Sequence, residues 1–484
     1  MKKIYSFALA TSLLALGSCA SDAPEQPGTS NSEGDAYVAV RISQNGLTRA
    51  DEQAPSETVA SSESEENIKS VTLFILDKDG RQLRRFTTND IAEINGDSYA
   101  YFAITSFMFD DLKATVQGGS GAAQVQLKVY ANAQANGATI ASYNNREYYT
   151  GNTWTANQFL MTGENNLAYL SAPGEGKDGS SKANAWLINA GGTGESVNVN
   201  LTRLATRFDM ENVAGINDGE YTATEKGLSN LKITIEGVAI HTHEASTFWW
   251  AQTPTEGVRY TVNPDVTGTG GGCNYNDGKK QFKTFNYNLV LPGVTGEGLS
   301  STVYAHPHTV TADIPVFGYQ YLSFAAVKCS FTYDKIPADA TEVYAHNGYL
   351  LGTFEQFKNK ELDYSEYPDT EKAWIAATQN STSLSVETLK QAATVYEKEG
   401  DKFYCYYNMI LTNVSKVKKE DRNRTNTAII RNTCYKISVN SIAKLGYDET
   451  DVPHDEVEDQ MLYIDMQVSV LPWVKNTANT GVEL

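Results

Sequence analysis

Short runs in which apolar and polar residues alternate dominate the chain. In residues 35–43, Val38, Val40 and Ile42 fall on one face and Tyr37, Ala39 and Arg41 on the other, the period of a half-buried strand. The same alternation recurs at 125–130, 197–201, 231–235, 327–333, 435–439 and 462–470. Residues 71–76 and 81–86 flank Asp77-Lys78-Asp79-Gly80, which predicts two strands joined by a tight turn. The Asp-x-Asp-Gly letters also open a calcium loop, but the later ligand positions of an EF-hand are missing, so a hairpin is the reading taken. Polar or glycine-rich stretches at 118–121, 172–176 and 268–272 separate the runs. Residues 45–67, rich in Ser, Thr and Glu, are expected to form a mobile loop. Helical signal is thin, and 385–399 is its best candidate, where Val386, Leu389 and Ala393 make one stripe. Many short strands with frequent turns predict an all-β protein built of β-sandwich domains, with the passage between two of them near 201–205.

Length and composition agree with that pattern. At 484 residues the chain is long enough for two or three domains. Its 28 Tyr and 37 Gly favour strands and turns. Against 39 Lys and Arg stand 58 Asp and Glu, a formal charge of −19, so a phosphate-rich partner such as nucleic acid or an anionic membrane is repelled.

The N-terminus reads as an address. Met1, Lys2 and Lys3 precede an apolar run over 4–16, too short for a stable bilayer span and typical of a secretory signal. It ends at Leu16-Gly17-Ser18-Cys19, which resembles a bacterial lipobox in which Cys19 is lipidated and becomes the new N-terminus. The other four cysteines, Cys273, Cys329, Cys405 and Cys434, contain no CxxC pair, which disfavours zinc and thioredoxin-like chemistry. Cys405 and Cys434 lie in strand-like runs and either face each other as a cross-strand disulfide or stay buried as free thiols.

Catalytic signatures are missing. HExxH, GxSxG and GxxxxGK[ST] do not occur. Residues 174–179 match the letters of GxGxxG, but no striped helix follows, so they are expected to form a polar loop. His241-Thr242-His243 and His306-Pro307-His308 would each place two imidazoles on one face of a strand. No third ligand is assignable, so both pairs are taken as surface strand histidines. No enzyme activity, metal or cofactor is expected.

The two ends of the chain are related instead. The last strand carries Leu462, Ile464, Met466, Val468 and Val470 on one face, continues to Trp473, and follows an acidic stretch over 448–460 that reads as a linker. Between Cys19 and Lys69 the only basic residues are Arg41, inside the first strand, and Arg49, in the expected loop. A trypsin-like cut between Arg49 and Ala50 would remove the lipid and the first strand together. Loss of an edge strand would open an apolar groove, and the C-terminal strand of another copy could fill it by β-augmentation. One slot and one plug per chain make a head-to-tail contact that grows a fibre if it does not close. The alternative is a monomeric lipoprotein in which both strands stay at home.

The residues that carry these readings resemble the fimbrillins, the type V pilins of Gram-negative anaerobes, and among them the shaft subunits of short fimbriae. The N-terminal part of the likeness is Ala36-Tyr37-Val38-Ala39-Val40, Thr48-Arg49-Ala50 and residues 68–74. Mid-chain it is Leu201-Thr202-Arg203-Leu204-Ala205-Thr206-Arg207. The more specific blocks come later: Phe403-Tyr404-Cys405-Tyr406-Tyr407, residues 430–437, residues 441–446 and Val468-Ser469-Val470-Leu471-Pro472-Trp473. The resemblance implies two transthyretin-like β-sandwich domains, a signal over 1–19, a propeptide over 20–49, domains over 50–204 and 205–447, and a linker with a separable donor strand over 448–484. It implies lipidation at Cys19, cleavage at Arg49-Ala50 by an Arg-specific protease, and a donor strand that includes Leu462, Ile464, Met466, Val468, Val470 and Trp473. The implied product is an outer-membrane lipoprotein that matures into a cell-surface fimbrium. It would polymerise with itself, join anchor and tip subunits, and support adhesion and biofilm formation through host or bacterial surface ligands. A tip or accessory adhesin and a surface glycan-binding lipoprotein are the other readings. The only aromatic cluster to suggest glycan binding is Phe248-Trp249-Trp250, and a core pair is the simpler account.

Overall fold

The computed structural model describes residues 34–44, 58–94, 97–117, 122–145, 147–188, 198–213, 219–242, 246–250, 285–308, 322–413, 426–448 and 463–474. The first half contains β1 (Ala36–Ser43), β2 (Val59–Ala60), α1 (Glu63–Glu66), β3 (Val71–Asp77), β4 (Gln82–Thr88), β5 (Ile91–Ile94), β6 (Asp97–Ile104), α2 (Ser106–Gln117), β7 (Ala122–Ala131), β8 (Tyr148–Thr150), β9 (Met161–Ser171), β10 (Trp186–Leu187) and β11 (Val199–Arg203). Next come β12 (Thr206–Met210), β13 (Glu220–Thr222), β14 (Leu231–His241), β15 (Ser246–Phe248), β16 (Thr302–Ala305) and β17 (Phe324–Tyr333). The last part holds β18 (Glu342–His346), β19 (Tyr349–Gly352), α3 (Phe354–Lys358), α4 (Asp369–Gln379), α5 (Val386–Ala392), β20 (Thr394–Glu399), β21 (Lys402–Ile410), β22 (Thr433–Ile442) and β23 (Ile464–Val474). The all-β expectation is met.

The first sheet runs β4-β3-β7-β9-β11-β1-β6-β5, with β10 beside β1. Apolar residues from strands across its width, among them Val40, Leu73, Phe86, Phe102, Leu127 and Leu201, form one core. A single sheet can gather one face in this way only by curling over it. A five-stranded sheet, β16-β12-β22-β23-β2, and a seven-stranded sheet, β13-β14-β17-β21-β20-β18-β19, share a second core that includes Phe208, Ile233, Val327, Tyr407, Ile437 and Met466. That is sandwich packing. The step from the first sheet to the second falls between Arg203 and Thr206.

Local expectations hold where local chemistry decides. The β3–β4 hairpin turns on Asp77, whose carboxylate accepts the Asp79 and Arg81 N–H groups, and on Gly80 at φ 82°. Residues 174–179 form a polar loop. The predicted helix over 385–399 is corrected: α5 ends at Ala392 and β20 follows. The stripe stops at Ala393, and Val395 and Tyr396 pair with β18 instead. Residues 58–67 are not the loop expected for 45–67, since they form β2 and α1. The histidines are also corrected: His306 and His308 are buried rather than on the surface, and His241 packs against Phe285 and Phe324.

Of the two readings open for Cys405 and Cys434, the structure shows the buried free thiols. Cys405 stands opposite Cys329 across β17 and β21, while Cys434 lies in the other sheet with Sγ 3.4 Å from Asp209 Oδ2. All three are buried free thiols, which burial holds above the ordinary thiol range.

Burial also raises many phenols. The Tyr143 and Tyr221 hydroxyls are pushed up to about 12, and Tyr130, Tyr287, Tyr304 and Tyr407 are raised as well. The folded chain therefore keeps protons that the unfolded chain sheds near pH ~10. This stability is complete below that pH and falls as pH rises through the folded values. In an alkaline titration, most phenolate absorbance should appear together with loss of the β-sheet circular dichroism. Smooth ionisation near pH ~10 with the sheet signal intact would contradict the burial.

Candidate functional site: the first strand and the docked last strand

In the sequence β1 precedes the expected cut at Arg49-Ala50, and the structure shows what β1 holds. It pairs antiparallel with β6 from Ala36↔Ile104 to Ile42↔Ser98, and parallel with β10 and β11 on its other side. The expectation of an edge strand is thus corrected: β1 lies inside the sheet, because β10 and β11 return alongside it. Val38, Val40 and Ile42 are fully buried in the first core. At about 1.5–3 kcal/mol per buried aliphatic side chain, this face is a large share of the strand's hold. The Tyr37 N–H donates to Gly179 O at 2.9 Å, so the glycine loop read in the sequence is a clasp on β1. Excising β1 would leave unpaired backbone on β6, β10 and β11 and uncover an apolar slot between them.

The last strand is equally well seated. β23 pairs antiparallel with β22 from Ile442↔Ile464 to Thr433↔Pro472, with a bulge at Val439/Ser441, and meets β2 in parallel at Val59↔Trp473. Ile464, Met466 and Val470 are buried in the second core, and half-buried Val468 packs against it. Trp473 breaks the alternation. Its indole is fully buried on the other side, within the first core, edge-on to Phe159 at 5.6 Å and stacked on Tyr304 at 5.8 Å. Cys19, Arg49, Ala50 and Leu462 lie outside the described residues.

Around Trp473 sits a polar hub that the sequence did not reveal. The Arg203 guanidinium lies 4.4 Å from the centre of the Trp473 ring. Its Nε donates to Glu65 O at 3.1 Å, and its NH1 donates to Asn432 Oδ1 at 3.1 Å and Trp473 O at 3.2 Å. Burial pushes the Arg203 guanidinium down to about 10, with Glu65 and Glu66 opposing the shift. The Glu65 carboxylate is itself buried and accepts from Arg207 NH1, from the Tyr304 hydroxyl at 2.7 Å and from the Ser62 N–H. Burial alone would lower Arg207, but its hydrogen bond to Asp209 and the Glu65 charge outweigh that and raise it. In this hub, Trp473 Nε1 and Arg203 NH2 are buried donors with no acceptor among the described residues. Each such group costs about 1–3 kcal/mol, so the docked strand is held firmly but not ideally. The signal in the sequence was Leu201-Thr202-Arg203-Leu204-Ala205-Thr206-Arg207, where two arginines point into an otherwise apolar junction.

Other candidates do not converge. Among the described residues no group of three or more His, Cys, Asp or Glu is placed to hold a metal ion, and no helix is long and apolar enough to cross a membrane. Trp249 and Trp250 are a buried pair packed on Tyr130, as expected of a core.

Residues 401–479 match a family model described as major fimbrial subunit protein type IV, fimbrillin, C-terminal. The match spans β21, β22 and β23 and bears out the fimbrillin resemblance read from the sequence. No curated protein matches the chain. Among solved structures, a fimbrilin from Porphyromonas gingivalis is 14% identical, with a TM-score of 0.37 over 91% of this chain and 98% of that one. The C-terminally truncated tip fimbrial protein Mfa3 from the same organism is 11% identical, with a TM-score of 0.39 over 90% of this chain and 100% of that one. A structure from Parabacteroides distasonis named for cell adhesion is 11% identical, with a TM-score of 0.44 over 90% and 99%.

Proposed function

We propose that this chain is the shaft subunit of a fimbria, exported as an outer-membrane lipoprotein through Cys19, cut after Arg49, and polymerised head to tail by strand exchange. The fimbrillin match supports a fimbrial role in the plain sense. The observation that carries the finer reading is the position of β1. It is the only described strand N-terminal to Arg49, and it is paired on both sides with three aliphatic side chains in the core. A strand leaving the interior of a sheet frees two ladders at once, so an incoming strand recovers more than at an edge.

In this reading residues 50–204 accept the strand, 205–447 form the second domain, and 448–484 supply the donor. Ile464, Met466, Val468 and Val470 replace the apolar face of β1. Anchor and tip subunits would complete the fibre, and surface ligands would give adhesion and biofilm formation. The segment 1–49 holds four basic and four acidic residues, so the mature chain keeps the whole −19. Repeated along a shaft, that charge keeps neighbouring fibres apart. The role is structural, and no residue is given a catalytic one. Trp249 and Trp250, the pair on which a glycan-binding reading rested, are buried, which supports the structural reading over it.

The decisive test is Arg49→Ala. Wild-type precursor treated with a trypsin-like protease should yield a new N-terminus at Ala50 and SDS-resistant ladders on gels. The variant should stay uncut at that site and monomeric. Ladders of unchanged strength from Arg49→Ala would refute the cleavage step.

A further inference from the structure

If the last strand is to leave, something must hold it until the first strand is gone. We infer that residues 59–66 are a latch on β23, kept closed by Gln44 at the end of β1, so that excision of β1 also loosens the donor strand. This inference rests on the strand-exchange reading above.

The latch is continuous in space. At one end, the Gln44 side-chain amide, itself buried, donates from Nε2 to the carbonyl of Glu66, the last residue of α1. The helix is a single turn, closed by the bond from the Ser62 N–H to the Glu65 carboxylate. At the other end, Ser61 donates its N–H to Val474 O at 2.8 Å, and its hydroxyl lies 2.9 Å from the same oxygen. β2 adds the parallel pairing Val59↔Trp473. From α1 the Glu65 carbonyl holds Arg203, which in turn holds the Trp473 carbonyl. Residues 59–66 therefore contact both the strand that is cut away and the strand that must be released.

The cut lies between them along the chain. Arg49 follows Gln44 by a few residues and precedes β2, so the cut takes Gln44 away with β1 and turns the N-terminal side of the latch into a chain end. After the cut α1 keeps the bond from Arg203 Nε in β11 to Glu65 O at 3.1 Å and the bond from the Asn157 N–H to Ser64 O at 2.7 Å. Cleavage thus loosens the latch rather than dissolving it. Trp473 Nε1 and Arg203 NH2, buried with no acceptor among the described residues, work in the same direction, since both can reach water once β23 lifts. The precursor is in this way protected from premature assembly: slot and plug are unmasked by the same cut.

The test is hydrogen–deuterium exchange of the amides of 464–474 in the full-length, uncut chain. Gln44→Ala should speed that exchange about tenfold, the effect of losing one hydrogen bond of ordinary net strength, while β17 and β21 stay unchanged. Wild-type chain cut after Arg49 and kept dilute should show at least as large an increase. Equal exchange in wild type, Gln44→Ala and cut chain would overturn the latch. Should Gln44→Ala fail to fold by circular dichroism, Glu65→Gln, which keeps the shape and removes the charge facing Arg207, is read in the same way. Ladder formation is scored separately. Ladders with no change in exchange refute the latch alone; faster exchange with no ladders refutes strand exchange and leaves the latch standing.

Discussion

Trp473→Ala should destabilise the chain by about 3–5 kcal/mol, the usual cost of truncating a large buried aromatic. The indole has no exposed surface and touches Phe159, Tyr304 and Arg203, so no neighbour can relax into the space without giving up a partner of its own. The midpoint of thermal unfolding should fall by about 10 °C, and β23 should become open to limited proteolysis. Trp473→Phe is the informative companion. Because the indole N–H has no acceptor among the described residues, Phe loses ring area and part of the cation–π attraction but no hydrogen bond and should recover well over half of the loss. A melting temperature unchanged by Trp473→Ala would mean that β23 is not seated as described.

Arg203→Ala should cost a similar amount for a different reason. The substitution takes the buried guanidinium donor away from Glu65 O, Asn432 Oδ1 and Trp473 O, while the backbone N–H of residue 203 still donates to Asn432 Oδ1. Breaking a buried, hydrogen-bonded charge network in this way costs about 3–5 kcal/mol. Lys at this position should not rescue, because one ammonium cannot span the directions that the guanidinium fork serves or lie flat on the indole. Since the two residues share contacts, the double variant should be less destabilised than the sum of the single ones, by about 0.5–3 kcal/mol in denaturant melts. Full additivity would argue that Arg203 and Trp473 act independently and would remove the hub from the account of how β23 is held.

How far the sequence could be read follows the range of the interactions involved. The alternation in β1 and β23 and the Asp77–Gly80 turn were legible because each is set by neighbours a few residues away, and Trp249-Trp250 because two adjacent large apolar rings favour burial wherever their partners come from. The position of β1 inside its sheet was not, since it depends on β10 and β11, some 150 residues along the chain. The same holds for Cys405, where period 2 says which face it occupies but only register with β17 places Cys329 opposite. α1 was read as loop because Glu63-Ser64-Glu65-Glu66 has no apolar stripe. Its order comes from Arg203, Arg207 and Tyr304, which a local pattern does not contain.

Taken alone, the sequence determined that this is an all-β chain with an apolar strand near each end, Arg49 following the first of them, and fimbrillin-like blocks toward its C-terminus. Those properties are written in local period, local charge and contiguous residues. Tertiary structure decided that the first strand is internal, that the last strand is docked through Trp473, and that one short segment touches both. These depend on which distant backbones pair and which charges share a buried space, and free energy of that kind exists only once the chain has closed on itself.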